Sequence, residues 1–335
     1  PWLPGWGERA MVAALLVLWV EVSGHLLFRF VLGEHGIDFA IFSQAVASIA
    51  REGVPWVTLA NAQRLNFLTH HFSPWLYLPG ALAWLGVPAP VAGVAFHVAG
   101  LGVAFGSLYG LARTLGLAAR DALALVLVAA LSPANRAALS WTFNDELYGA
   151  PFVLLGLWQW LAGRYRRAAL AFLASCLCKE SFFLVTLAFV FVALVWHRHF
   201  RPAPERRAAA LALLPLGALA FVAFVAYFFL QPLLWGKAFD HASKLANLDQ
   251  LLSPGALGAK LLYVLSLLVP TLGLSLASAR GRRLMVLAVP GVALSLASGF
   301  DEMYRPLNYY AVVPLNVGFV ALAAGVPALQ ARWGE

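Results

Sequence analysis

The sequence contains few charged residues and very few cysteines. Only 11% of its 335 residues are charged, whereas soluble domains average about 25%, so the composition argues against a sizeable soluble domain. The two cysteines, Cys176 and Cys178, stand two positions apart on an apolar segment and point to different faces of a helix. They predict neither a disulfide framework nor a metal site. The P-loop, Rossmann and zincin motifs are also absent, which removes their nucleotide and zinc chemistry from consideration.

Apolar residues make up 62% of the chain and are gathered in eleven runs along its whole length. Because a full membrane crossing needs about 20 residues, the runs leave no room for a second domain. Residues 1–335 are therefore predicted to form one integral membrane domain. The first run is too long for a signal-peptide core and predicts a retained anchor. The runs are 10–31, 72–85, 88–112, 122–139, 147–161, 168–178, 182–196, 208–230, 261–277, 284–297 and 307–326.

Clusters of arginine between the runs predict the orientation, because Lys and Arg mark cytoplasmic loops. Two apolar runs separate each neighbouring pair of clusters, so all four share one side, and the net charge of +8 reflects topology rather than nucleic-acid binding. Residues 72–85 are short and interrupted by Pro74, Pro79 and Gly80, which predicts a re-entrant or interfacial segment. The expected fold is all-α, with about ten spans and both termini in the cytoplasm. The clusters are Arg113/Arg120, Arg164/Arg166/Arg167, Arg198/Arg201/Arg206/Arg207 and Arg280/Arg282/Arg283.

The acidic residues fall mostly on the opposite, outer side of this topology. Acids contribute little to membrane orientation, so their one-sided distribution predicts a working face. Ten of the fifteen acids lie there, namely Glu34, Asp38, Glu52, Asp145, Glu146, Glu180, Asp240, Asp249, Asp301 and Glu302.

Asp38 opens the first candidate motif, in the longest predicted outer loop. Phe39, Phe42, Val46 and Ile49 follow it at helical spacing, which predicts an amphipathic helix lying on the membrane surface. Asp38 is then either the N-cap of that helix or a functional acid of the loop.

Two further outer motifs combine histidines and acids. The adjacent His70 and His71 are either metal ligands together with a carboxylate or polar surface at the membrane boundary. Asp145 and Glu146 are either site residues or acids at the N-terminus of the next helix, where they are favoured by the helix dipole.

Lys179 and Glu180 stand between two closely spaced arginine clusters. Only 30 residues separate Arg167 from Arg198, whereas two full crossings need about 40. The pair is therefore predicted at the tip of a short hairpin below the outer surface, where a polar tip is tolerated only along a cavity. The two charges either neutralise each other or mark a functional site, as ionisable groups at membrane depth commonly do.

Two more groups complete the candidates. Arg305 precedes Tyr309 and Tyr310, which form either an aromatic belt or, with the arginine, a phosphate-binding loop. In the first span, Glu21 and His25 lie on one polar stripe with Arg29 at spacings of four, and this stripe is predicted to face the bundle interior, as a buried polar network or as part of a functional site.

These motifs, in their order and spacing, resemble a family of bacterial membrane proteins known as DUF2079. That family is similar to the GT-C glycosyltransferases, multi-span enzymes that take sugars from polyprenyl-phosphate carriers and place an acidic catalytic residue after the first span. This sequence differs from the family pattern at two positions: the family often has His where Asn144 stands and an acid where Ser181 stands. The motifs are Asp38-Phe39 with Gln44, His71 to Pro74, Phe143 to Glu146 with Pro151, Lys179-Glu180, and Tyr309-Tyr310 ahead of Pro314.

The resemblance implies a GT-C-like fold, with juxtamembrane helices in the first outer loop, in the bacterial inner membrane. It implies a transferase whose active site faces the periplasm and whose partners are membrane lipids and a polyprenyl-phosphate sugar. The implied site comprises Asp38 as catalytic residue, Lys179, Glu180, Arg305, Asp145, Glu146, Gln44 and Tyr309 as substrate or lipid-phosphate ligands, and His71 with Asp145 as ligands of a divalent Mg or Mn ion.

Two other functions remain open from the sequence. One is a catalytically inactive subunit that keeps the fold within a larger membrane complex, in which the acids neutralise one another. The other is a transporter or flippase for the same lipids, which is less favoured because transporters carry internal repeats and this sequence shows none.

Overall fold

The computed structural model describes residues 5–32, 37–58, 64–133, 135–136, 144–230, 253–271, 273–298 and 311–333. This part of the chain is almost entirely helical, which confirms the predicted all-α class. The helices are α1 (Trp6–Leu32), α2 (Ile37–Glu52), α3 (Tyr77–Trp84), α4 (Ala89–Thr114), α5 (Ala119–Leu131), α6 (Asp145–Leu161), α7 (Tyr165–Cys176), α8 (Ser181–Val195), α9 (Arg206–Val225), α10 (Pro254–Leu268), α11 (Ala279–Met285), α12 (Val289–Ala297) and α13 (Val312–Trp333).

Two of the described helices are long and apolar enough to cross a membrane. They are Ala89–Thr114 and Arg206–Leu230, the latter being α9 extended by the π-helical turn Ala226–Leu230. Shorter apolar helices occupy Ser181–Val195, Gly255–Thr271 and Val312–Pro327. The predicted number of about ten spans is therefore not confirmed, because several apolar runs form helices shorter than the roughly 20 residues of a full crossing.

The segment after α1 contains the predicted amphipathic helix, α2, but its apolar face does not point outwards. Phe39, Phe42, Val46 and Ile49 are all buried within the protein, where α2 packs against α3 and α4. The expectation that this face lies on the membrane surface is therefore corrected. Burial of these four side chains fixes α2 over the bundle, with Asp38 in its first turn rather than at the N-cap.

A two-stranded antiparallel ribbon follows α2 and is pinned to it by Gln44. Strands β1 (Trp56–Thr58) and β2 (Arg64–Asn66) pair with Val57 opposite Leu65. The Gln44 side chain accepts a hydrogen bond of 2.7 Å from the Thr58 backbone N–H and donates one of 3.2 Å to its hydroxyl. Gln44 therefore has a structural role on an exposed surface.

Small residues allow close approach of the helices that carry the site. A methyl group added at Gly149 of α6 would lie 2.1 Å from the Phe182 ring of α8, and one at Gly110 of α4 would lie 2.2 Å from the Trp158 ring of α6. Glycines at such crossings let helix backbones pack closely in membrane bundles. The N-terminus of α6 is thereby held beside the turn that joins α7 to α8.

The polar stripe of α1 does not face the bundle interior, and that prediction is wrong for its two described side chains. The Glu21 side chain is 49% exposed and pairs with Arg136, whose Nη2 lies 2.8 Å from Glu21 Oε1. His25 is exposed as well. Helical spacing identifies a shared face, but it does not specify which neighbour that face meets.

Candidate functional site

Among the described residues, six ionisable side chains from four segments meet at one end of α6, and we refer to them as the ionic cluster. Four of them are acids, and they are accompanied by one lysine and one histidine. The members are Asp38 of α2, His71 of the loop before α3, Asp145 and Glu146 of α6, and Lys179 and Glu180 of the α7–α8 turn.

The start of α6 positions two of the acids. Asn144 is its N-cap, and the Asn144 side-chain oxygen accepts a hydrogen bond of 3.0 Å from the Glu146 backbone N–H. Asp145 and Glu146 occupy the first helical turn, where the positive end of the helix dipole stabilises negative charge. The predicted helix N-terminus is therefore present, and it also aims both acids into the protein.

Lys179 joins these two acids. Its ammonium lies 3.1 Å from Asp145 Oδ1 and 3.1 Å from Glu146 Oε1. The Lys179 side chain is 7% exposed and the Asp145 side chain 1%. Buried charges are tolerated when they are paired and hydrogen-bonded in this way, so the lysine acts as the internal counterion of α6.

Glu180, the next residue, binds the loop before α3. Its Oε1 lies 3.0 Å from His71 Nδ1, and its Oε2 accepts a hydrogen bond of 2.9 Å from the Phe72 backbone N–H. The carboxylate therefore holds this loop by two different atoms. One of its partners is the backbone N–H of Phe72. Only a substitution to proline would remove this donor.

Ser73 makes a second connection between the same segments. Its buried hydroxyl donates to the Cys178 carbonyl at 2.8 Å and lies 3.2 Å from Asp145 Oδ2. The Trp75 backbone N–H also donates to the Leu177 carbonyl at 3.1 Å. The loop, the α7–α8 turn and the start of α6 are consequently fixed relative to one another.

Asp38 differs from the other acids because it is half-buried at the edge of the cluster. Burial raises the pKa of its carboxyl, and the nearby Asp145 charge raises the pKa further. Lys179, His71 and a hydrogen bond from the Asn144 side chain act in the opposite direction. The net shift is upwards, so this carboxyl holds a proton more readily than an ordinary aspartate does.

Two tyrosines that the sequence analysis missed also reach the cluster. The Tyr227 hydroxyl, in the π-helical turn after α9, donates to the His70 carbonyl at 2.9 Å and lies within electrostatic reach of Glu180. Tyr263 of α10 is fully buried near Glu146 and bonds the Ser295 hydroxyl at 3.3 Å. Turns of π-helix are often found at functional sites, but no feature of the sequence indicates the position of this one.

The structure thus places most of the predicted site residues together, with clear differences. Gln44 lies outside the cluster, on the part of α2 that bonds the ribbon, and Arg305 and Tyr309 lie outside the described residues. His71 contacts Glu180 rather than Asp145, and no group of three or more His, Cys, Asp or Glu side chains in the described ranges is placed to hold a metal ion. Asp145, Glu146, Lys179 and Glu180 are buried within the protein, whereas Asp38 and His71 are half-buried.

Comparison with known protein families identifies a match. The model of a family described as a predicted membrane protein, DUF2079, matches residues 30–334. No curated protein matches the chain. The matched region includes every residue of the ionic cluster.

Proposed function

Because this chain belongs to the DUF2079 family of predicted membrane proteins, we propose that it is a membrane glycosyltransferase that uses a polyprenyl-phosphate-linked sugar on the outer face. The observation that carries the proposal is the half-buried carboxyl of Asp38 at the edge of the buried ionic cluster. An acid with a perturbed pKa, held beside fixed polar groups, is a common arrangement in catalytic sites. The proposed active unit is one membrane domain.

In the proposed reaction, Asp38 accepts the proton of an acceptor hydroxyl as its oxygen attacks the anomeric carbon of the sugar. The bond from that carbon to the carrier phosphate breaks, and the phosphate leaves with the electron pair. General-base catalysis of this kind contributes about 10²- to 10⁴-fold to a rate. Cationic groups near the leaving phosphate stabilise its developing charge.

The cations of the proposed site have different roles. Lys179 already contacts Asp145 and Glu146 at 3.1 Å each, so it can reach a carrier phosphate only if these contacts open. In the closed arrangement it holds the two acids in place for hydroxyl groups of the sugar or acceptor. Arg305, outside the described residues, is the proposed phosphate ligand, and Tyr309 is proposed beside it.

The rate of transfer is expected to depend on the ionisation of Asp38. A raised pKa keeps the carboxyl protonated, and unable to accept a proton, at pH values where an ordinary aspartate (pKa about 3.9) is already ionised. The ascending limb of the pH–rate profile is therefore expected above that value. Asn144→Ser retains an N-cap but removes the amide whose hydrogen bond lowers the pKa of Asp38.

This variant should move the ascending limb to higher pH, as measured by transfer from a polyprenyl-phosphate sugar between pH 4 and 9. A matched substitution at an exposed amide, Gln44→Ser, should leave the limb in place. A limb that is the same in Asn144→Ser and in the unmodified protein would show that Asp38 is not the titrating base.

The proposed orientation predicts which positions face outwards. Gln44, on α2, and Arg166, at the start of α7, are both exposed, and the arginine clusters assign them to opposite sides. In a background in which Cys176 and Cys178 are replaced by alanine, Gln44→Cys should react with a membrane-impermeant maleimide in intact cells. Arg166→Cys should react only after the membrane is opened. Labelling of both positions in intact cells would refute the orientation.

A second function, an inactive subunit of a membrane complex, is favoured by one specific observation. Lys179 is buried and pairs with two carboxylates. A buried lysine neutralised in this way is typical of an ion cluster with a purely structural role. In this case the unmodified protein would transfer no sugar from any carrier and would co-purify with defined membrane partners.

A further inference from the structure

A large groove lies between α1, α4 and α5, on a part of the molecule that the ionic cluster does not use. Its volume is about 990 Å³, at the upper end of the range for ligand pockets in proteins, about 300–1,000 Å³. Its walls are apolar, with Leu16 from α1, Phe105 from α4 and Leu123 from α5. Leu16 is 58% exposed, so at this position the wall is not covered by other described residues.

One end of the groove carries charges of both signs. Glu8 lies in the first turn of α1 and Arg113 in the last turn of α4, and both line the groove. Ala119, the first residue of α5, lines the same end. The arginine cluster that contains Arg113 and Arg120 marks this end as cytoplasmic, at the depth where lipid headgroups meet water.

We propose that this groove binds a phospholipid of the cytoplasmic leaflet whose headgroup carries a primary ammonium, as in phosphatidylethanolamine. The phosphate would contact Arg113, the ammonium would contact Glu8, and an acyl chain would occupy the apolar walls. A carboxylate and a guanidinium together match a zwitterionic headgroup, whereas an anionic headgroup would have to approach Glu8. A choline headgroup has no N–H to donate to the carboxylate.

Two side chains of the groove are already held in position. The Arg113 guanidinium donates a hydrogen bond of 2.8 Å to the Leu117 carbonyl at the groove end, so its orientation is set before a lipid binds. Trp19, farther along α1, donates to the Val98 carbonyl at 3.1 Å and lines the apolar part. Trp19 therefore reports directly on an acyl chain in the groove.

Fluorescence quenching by brominated lipids tests the proposal on the full chain. The protein is reconstituted in phosphatidylcholine vesicles with increasing fractions of phosphatidylethanolamine, phosphatidylglycerol or phosphatidylcholine that carry dibrominated chains. The signal of Trp19 is the difference between the unmodified protein and Trp19→Phe, since the chain has 12 tryptophans. Brominated phosphatidylethanolamine should half-quench this signal at a mole fraction about tenfold lower than brominated phosphatidylcholine, because charge-assisted hydrogen bonds are strong.

Variants at the groove end separate the two contacts. Glu8→Gln should abolish the preference for phosphatidylethanolamine over phosphatidylglycerol. Arg113→Gln should weaken quenching by all three lipids, because their headgroups share the phosphate that the guanidinium contacts. Arg120→Gln, at the same end but outside the groove lining, should leave the preferences unchanged. Equal quenching by all three lipids would mean ordinary boundary lipid and overturn the proposal. A preference of the unmodified protein for phosphatidylglycerol would overturn the assigned ammonium contact.

Discussion

Replacing Asp38 by asparagine is expected to lower sugar transfer by about 100-fold or more, because asparagine has nearly the same shape but cannot accept the proton. The fold should be retained. Burial raises the pKa of Asp38, so its ionised form is disfavoured in the folded protein relative to the unfolded chain. Ionisation of Asp38 therefore destabilises the fold, and this effect is complete above the folded-state pKa. The neutral asparagine removes this destabilisation.

The matched control is Glu52→Gln at the other end of α2. Glu52 is exposed and pairs with Arg64, so the loss of its charge should leave transfer unchanged. Transfer is measured as labelled sugar moved from a polyprenyl-phosphate donor, and folding as the fraction of protein that elutes as a single species in detergent. An Asp38→Asn protein that folds and transfers at the normal rate would leave Asp38 with only a role at the helix start.

Replacing Lys179 by methionine is expected to destabilise the fold by about 3–5 kcal/mol, because it leaves buried acids without their cation. Methionine is similar in length and apolar, so the loss of packing is small. The measurement is the denaturation midpoint in detergent relative to the unmodified protein. The triple variant Lys179→Met/Asp145→Asn/Glu146→Gln should recover much of the stability, since it neutralises both acids that the ammonium contacts.

Arg64→Met provides the control for a surface ion pair. The Arg64 side chain is 57% exposed, and such pairs contribute about 0–1 kcal/mol. A Lys179→Met protein as stable as Arg64→Met would contradict the structural importance of the ionic cluster. Failure of the triple variant to recover stability would show that Lys179 stabilises the fold through other contacts.

The sequence predicted the parts of the fold and site that depend on local pattern. The apolar spacing from Phe39 to Ile49 predicted α2, and the acids after Asn144 predicted a helix N-terminus. The cost of buried charge predicted that Lys179 needs an acidic partner, but the expected partner was its neighbour Glu180. In the structure Lys179 pairs instead with Asp145 and Glu146, and Glu180 pairs with His71. The family was also identified correctly from the order of the motifs.

The contacts that the sequence did not predict join residues that are distant along the chain. Ser73 bonds a carbonyl 105 residues away, and Tyr227 bonds one 157 residues away. Every residue has a backbone carbonyl, so the identity of the accepting residue does not reveal such a bond in the sequence. Arg136 was missed as the partner of Glu21 for a related reason, since periodicity within α1 contains no information about which segment packs beside it.

The number of membrane spans could not be predicted from the pattern of apolar runs either. Apolar runs show where the chain avoids water, but they do not show where a helix ends within a run. The run at 168–178 forms part of α7, which has only 12 residues, and the next helix, α8, has 15. The short turn between them, at Lys179 and Glu180, is the position at which both segments contribute to the ionic cluster.

The most direct test of the proposed function is the release of polyprenyl phosphate by the purified, unmodified protein. The protein is reconstituted in vesicles with a panel of polyprenyl-phosphate sugars and a mixture of hydroxyl-bearing acceptors, and the freed carrier is quantified by mass spectrometry. A transferase should consume at least one donor, and consumption should fall by about 100-fold or more in Asp38→Asn. No release from any donor, by a protein that is folded and bound to membrane partners, would contradict a transferase and identify a structural subunit.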